Sequence, residues 1–172
     1  MSTVDISKRI DSFFEEIISY PTYPRIVEKI PCVQKEIGHE FKDIHLLMLA
    51  FCRTKSDQNY INEPLAQIGD FVLTLVIGEL YFSQGKEKQD IQAAREKHAC
   101  NKKLYALTIQ KDLAKFCYHQ KHFYDDPNVP DDEKVSVNSH DTIIEAIIGA
   151  IYFDGGLDKA KEWCMKYVLT KE

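Results

Sequence analysis

The chain lacks any uninterrupted apolar run long enough to span a bilayer. Its two most hydrophobic stretches, "FVLTLVIGELYF" and "IIEAIIGAIYF", run about a dozen residues and each contains a Glu, short of the roughly 18 to 20 residues that a membrane helix needs. No membrane span or membrane partner is expected. The N-terminal "MSTVDISKRIDSFFEE" mixes charge with apolar residues and has no signal-peptide core, so a cytoplasmic or nuclear location is expected. Cysteine patterning is missing as well. The five cysteines, at 32, 52, 100, 117 and 164, are odd in number, widely spaced and free of CxxC or Cys/His ligand spacing, which argues against a disulfide framework or a structural zinc site and for reduced thiols. There is no excess of positive charge: 22 Lys and Arg face 27 Asp and Glu, a formal net charge of −5. That balance excludes a strongly basic, autonomous nucleic-acid binder, and any polyanion must be met by a local basic face. No alternating strand pattern, internal repeat or low-complexity tail appears.

What is present is helical periodicity on a chain of 172 residues, 44% of them hydrophobic, enough for one well-cored domain. Ile6, Ile10, Phe13, Phe14 and Ile17 recur at three-and-four spacing and predict an amphipathic helix over residues 4–20. Its stripe is expected to pack on a C-terminal helix around Trp163 and Tyr167. The prolines of "PTYPRIVEKIP" predict a connector with one short helical turn, dividing residues 1–31 (N-terminal helix and connector) from a domain over 32–172. From Val33 onward the pattern is helical almost throughout, with polar, turn-rich breaks at "TKSDQNYIN", "SQGKEKQ" and "DDPNVPDDEK". The expected fold class is all-α.

Two of these helices carry acids on apolar faces. In "NEPLAQIGDFVLTLVIGEL", Asn62 can cap and Pro64 suits a first turn, so a helix starts near Glu63. Leu65, Ile68, Val72 and Leu75 are expected to face the core, with Glu63, Ala66 and Asp70 on an adjoining stripe. Gly69 should cost about 1 kcal/mol relative to Ala in mid-helix, which suggests that another backbone approaches there. "DTIIEAIIGAIYFDGG" has the same construction, with Ile144, Ile147, Ile148 and Ile151 buried, Glu145, Gly149 and Tyr152 on another face, and Gly155-Gly156 ending it. Mid-helix acids ordinarily sit on a solvated rim or pair with Lys or Arg. If instead the two Gly-bearing surfaces cross, Asp70 and Glu145 converge where unpaired carboxylates are costly. A hard divalent cation such as Mg²⁺, which often needs only one or two carboxylates, would resolve that.

These motifs, in this order, resemble the ribonuclease III catalytic domain. "LLMLAFCRTKS" followed by "NEPLAQIGD" is similar to the family's leucine-rich helix, Ser-bearing loop and acidic signature, "AAREKHACNKKL" to its intervening segment, and "DTIIEAIIGAIYFDGG" to its second acidic motif. The likeness runs from about Phe41 to Leu169, and implies a helical endonuclease-domain bundle with an additional N-terminal helix. Carried over by position, the signature's acids fall on Glu63, Ala66 and Asp70, and the second motif's Glu on Glu145. Ala66 cannot bind a metal. The remaining acid falls on Thr142 without a gap, or on Asp141 if one Ile is inserted. Asp141 is the preferred candidate, since i and i+4 share a helix face as i and i+3 do. The signature Phe that packs on a partner subunit is here Gln67.

The resemblance further implies metal-assisted hydrolysis of double-stranded RNA by a homodimer, with Mg²⁺, or Mn²⁺ in its place, held by Asp70, Glu145 and Asp141, and with Glu63 positioning substrate. Arg95, Lys97, Lys102 and Lys103 are the expected RNA-contacting residues, although long exposed helices ordinarily alternate charge. No basic double-stranded RNA-binding domain follows within the 172 residues, so a protein partner supplying RNA binding is a further expectation. The loss of a carboxylate at Ala66 keeps a second reading open, an inactive member acting as a structural or RNA-binding partner.

Overall fold

Stripes of apolar residues at helical spacing account for nearly every element in the structure. It is a computed structural model that describes residues 6–56, 59–124, 126–128 and 141–170, with the side chains of Ser56, Asn59 and Asp141 outside the description. Helix α1 (Ser7–Ile17) buries Ile10, Phe13 and Ile17 against α3. Phe14 is only half-buried, its ring 4.0 Å from that of His45.

The segment expected to be a connector is a full helix, α2 (Tyr23–Ile37). A proline lies in its first turn, where the missing N–H costs nothing, and Pro31 lies inside it. Pro31 removes the donor for the Val27 carbonyl, but Val27 is exposed, so water can take that place. Ile26, Ile30, Val33 and Ile37 form the buried stripe, and Gly38 ends the helix at φ 72. The expected partner of the C-terminal stripe is corrected as a result. The indole N–H of Trp163 donates to the Ile37 carbonyl at 2.9 Å, and the Tyr167 hydroxyl sits against Gly38, so α2 and not α1 covers that end.

Helix α3 (Ile44–Phe51) is capped by Asp43, whose side chain accepts from the His45 N–H, and is buried from Leu46 to Phe51. A minimal antiparallel pair follows, β1 (Lys55–Ser56) and β2 (Asn59–Tyr60), leaving the all-α class intact. Then come α4 (Glu63–Ser83), α5 (Lys88–His98), α6 (Asn101–Gln110) and α7 (Asp141–Tyr167). The expected stop at Gly155-Gly156 is a break within α7: Gly156 takes φ 82 and the helix resumes beyond it.

The centre of the fold is the packing of α4 on α7, with α3 and α6 also against α7 and α5 against α4. Leu65, Val72, Leu73, Val76 and Ile77 of α4 are buried, whereas Leu75, expected in the core, is exposed. Because α4 is apolar on most sides, its pattern fits more than one buried face. Among the described helices α4 is long and apolar enough to cross a membrane, which the count of its shorter uninterrupted run missed. Its buried side is committed to α7.

Candidate functional site

The site is set by how α4 begins. The helix starts at Glu63 as expected, but Asn62 makes no side-chain cap and has φ −81, ψ −9, already helical where a capping residue would be extended. Its amide is drawn into the core instead. Asn62 is fully buried, donates from Nδ2 to the Ala50 carbonyl at 2.9 Å, and accepts at Oδ1 from Arg53 at 3.3 Å. The end of α3 is thereby tied to the start of α4.

Along α4 the close approach expected at Gly69 is present. A Cβ there would lie 1.8 Å from the Glu145 carbonyl oxygen, and one on Gly149 would lie 2.3 Å from the Leu65 carbonyl oxygen. Glycine is required at both positions because the two backbones occupy the space of any side chain. Asp70 follows Gly69 directly, so Asp70 and Glu145 leave the crossing from adjacent backbone positions. On α7, Glu145 is the one residue between Ile143 and Ile151 that is not buried. An acid that opens to solvent on an otherwise buried helix marks the crossing as a polar spot between apolar surfaces.

Asp70 is mostly covered, its side chain 22% exposed, with the Arg95 guanidinium 3.9 Å away. Ala66, one turn earlier, is 2% exposed and brings no oxygen to the crossing. Glu63 lies seven residues before Asp70 on the same stripe, about 10 Å along the helix axis. It lines a separate cavity of about 390 Å³ together with Arg9, Ser12, Glu16 and Tyr60. Thr142 in the first turn of α7 accepts from Arg53 at 2.8 Å. The Asp141 side chain, the other candidate for the second-motif acid, lies outside the described residues. Among the basic candidates, Arg95, Lys97 and Lys102 are exposed on α5 and α6, and Lys103 is half-buried.

Asp70 and Glu145 are hard oxygen donors of the kind Mg²⁺ takes, with waters to complete the shell. Among the described residues no group of three or more His, Cys, Asp or Glu side chains is placed to share an ion. Buried thiols offer no competing chemistry: burial raises Cys52, and pushes Cys117 and Cys164 up to about 12, far from the thiolate a nucleophile needs. Sequence reasoning missed Arg53. It is 1% exposed, and its guanidinium lies 3.6 Å from the Tyr60 ring centroid. An arginine directly after the apolar run "LLMLAFC" was the available signal, but its partners, 9 and 89 residues away, left no local pattern.

A family model described as Ribonuclease-III-like matches residues 49–172. Ribonuclease 3 of Sulfurovum sp. (strain NBC37-1) is 32% identical over 136 residues, 78% of this chain and 59% of that protein. Ribonuclease 3 of Campylobacter jejuni (serotype O:6) is 29% identical over 144 residues, 83% of this chain and 62% of that protein. The chain thus spans about three fifths of the length of these relatives. Two solved structures of the nuclease domain of ribonuclease III from Campylobacter jejuni superpose with TM-scores of 0.65. One, which describes flexibility in a region involved in dimer formation, is 27% identical and covers 79% of this chain and 93% of its own. The other is 28% identical and covers 81% and 92%.

Proposed function

From the premise that the chain belongs to the ribonuclease-III-like family, we propose that it is an endoribonuclease of the ribonuclease III type that hydrolyses double-stranded RNA with Mg²⁺. The observation that carries this reading is the contact of Gly69 with the Glu145 carbonyl, which brings two of the chain's retained motif acids, Asp70 and Glu145, to one helix crossing. Asp70 and Glu145 would hold the ion, with Asp141 as third ligand, and Mn²⁺ would substitute. Bound there, a divalent cation supplies activation of water and stabilisation of the leaving oxygen in an in-line displacement. Asp70 and Glu145 contribute fixed negative charge at that point. Arg95 beside Asp70, with Lys97, Lys102 and Lys103, contributes positive charge toward phosphates, and Glu63 positions substrate from the start of α4.

A homodimer is part of the proposal. Phe71 is 61% exposed and Leu75 47%, one turn apart on α4, an apolar strip that a second copy would cover. Gln67, also exposed, shares that face and stands where the resemblance places a packing Phe, which weakens the association.

The second reading, a family member that binds RNA or a protein partner without cleaving, draws on two observations: Ala66 offers no carboxylate, and the Thr142 hydroxyl is engaged by Arg53. One experiment separates them. The protein is incubated with long double-stranded RNA and Mg²⁺ beside its Glu145→Ala variant. Cleavage by the parent that is lost in the variant supports the nuclease, and RNA left intact by both supports the non-cleaving partner.

A further inference from the structure

Arg53 is held by three segments that arrive from distant parts of the chain. Its backbone N–H donates to the Tyr118 carbonyl at 2.8 Å, and its guanidinium reaches Asn62 at the start of α4 and Thr142 in the first turn of α7 while covering the Tyr60 ring. Stability alone is a poor reason for such a residue. A buried charge is expensive to desolvate, and apolar side chains of the same volume serve at least as well. A cation near the first turn of α7 also opposes that helix's dipole, which favours negative charge there. What the arrangement does supply is a fixed, planar link between the ends of the two helices that carry the candidate acids. Thr142 is three residues before Glu145 and on its face of the helix.

We propose that Arg53 is a positioning residue of the candidate metal site: through Thr142 it fixes the first turn of α7, and with it the direction in which Glu145 meets Asp70. This rests on the nuclease reading of the site. A guanidinium suits the role because Nη1 donates to both acceptors while the planar group lies over the Tyr60 ring, an arrangement the compact, tetrahedral ammonium of lysine on its flexible stem does not reproduce. Partners that orient ligands in this way typically change metal affinity by about tenfold or more when removed.

The test uses Mn²⁺ as probe, with affinity read by calorimetry alongside thermal melting and cleavage of double-stranded RNA. Thr142→Val keeps the volume and removes the acceptor, Thr142→Ser restores a hydroxyl, and Arg53→Lys keeps charge without the planar group. The expected result is a folded Thr142→Val protein whose Mn²⁺ affinity falls about tenfold, with Thr142→Ser near the parent and Arg53→Lys resembling Thr142→Val. Parent-like Mn²⁺ affinity in both Thr142→Val and Arg53→Lys would overturn the positioning role alone, even if their melting temperatures fall. If Arg53→Lys does not fold, the Val and Ser pair at Thr142 decides. A parent protein that binds no Mn²⁺ would overturn the nuclease reading itself, and this inference with it.

Discussion

A Cβ on Gly69 would fall 1.8 Å from the carbonyl oxygen of Glu145, so α4 and α7 meet backbone to backbone at the candidate site. Gly69→Ala must push the helices apart, and we expect a loss of at least ~2 kcal/mol together with loss of cleavage. Gly78, on the same helix, has nothing within 4 Å of its Cβ position. Gly78→Ala should be neutral or stabilise by up to ~1 kcal/mol. Urea unfolding of both variants checks this, and equal midpoints would show that the crossing is looser than described.

Helix α1 carries Ile10, Phe13 and Ile17 into the core, beyond the segment that the family model matches. Phe13→Ala removes a ring that is 5% exposed and should cost about 3 kcal/mol, lowering the melting temperature by roughly 10 °C. An unchanged melting temperature would make α1 an appendage.

The crossing glycines were legible because helix period is local: a costly mid-helix Gly beside an acid, repeated in Gly149 and Glu145, is a pattern within one turn of chain. Features set by tertiary packing were not. Asn62 reads as a cap, yet its side chain bonds Ala50, a choice made by the end of a different helix. Leu75 fits the core face of α4 as well as Val76 does, because the helix is apolar on most sides, and only the position of α7 decides between them. Three prolines made α2 look like a connector, and of these Pro21 precedes the helix and two lie within it. One sits in its first turn and the other on its exposed side, where neither breaks it. Misreading α2 then misassigned the cover of Trp163. Arg53 had no readable role because its partners converge only after folding.

His119 bears on pH. Burial first, then the neighbouring His122 and Lys121, hold its pKa below the ordinary 6.5, and its ring stacks on His122 at 5.3 Å. The unfolded chain therefore binds this proton more readily than the folded one, so stability is fully present above about pH 6.5 and is lost as pH falls through the lower folded value. His119→Gln should flatten the fall of melting temperature below that pH relative to the parent. Parallel curves for the two proteins would assign the acid sensitivity elsewhere.

Ala66 separates a weakened metal site from an abandoned one. It is 2% exposed, so Ala66→Glu delivers a carboxylate to a buried position one turn from Asp70. Without an ion, that group adds like charge and desolvation to a crossing that already holds Asp70 and Glu145, and the variant should melt well below the parent in EDTA. A divalent cation shared with Asp70 would offset much of this, since binding at 100 times Kd stabilises the folded state by about 2.7 kcal/mol. The expected result is a melting temperature that recovers in Mg²⁺ by more than the parent's does. Cleavage should also become faster and need less Mg²⁺, while RNA affinity, governed mainly by phosphate contacts and salt, changes little. A variant that melts equally low with and without Mg²⁺, and cleaves no better while still binding RNA, would place no ion beside Ala66 and favour the non-cleaving partner.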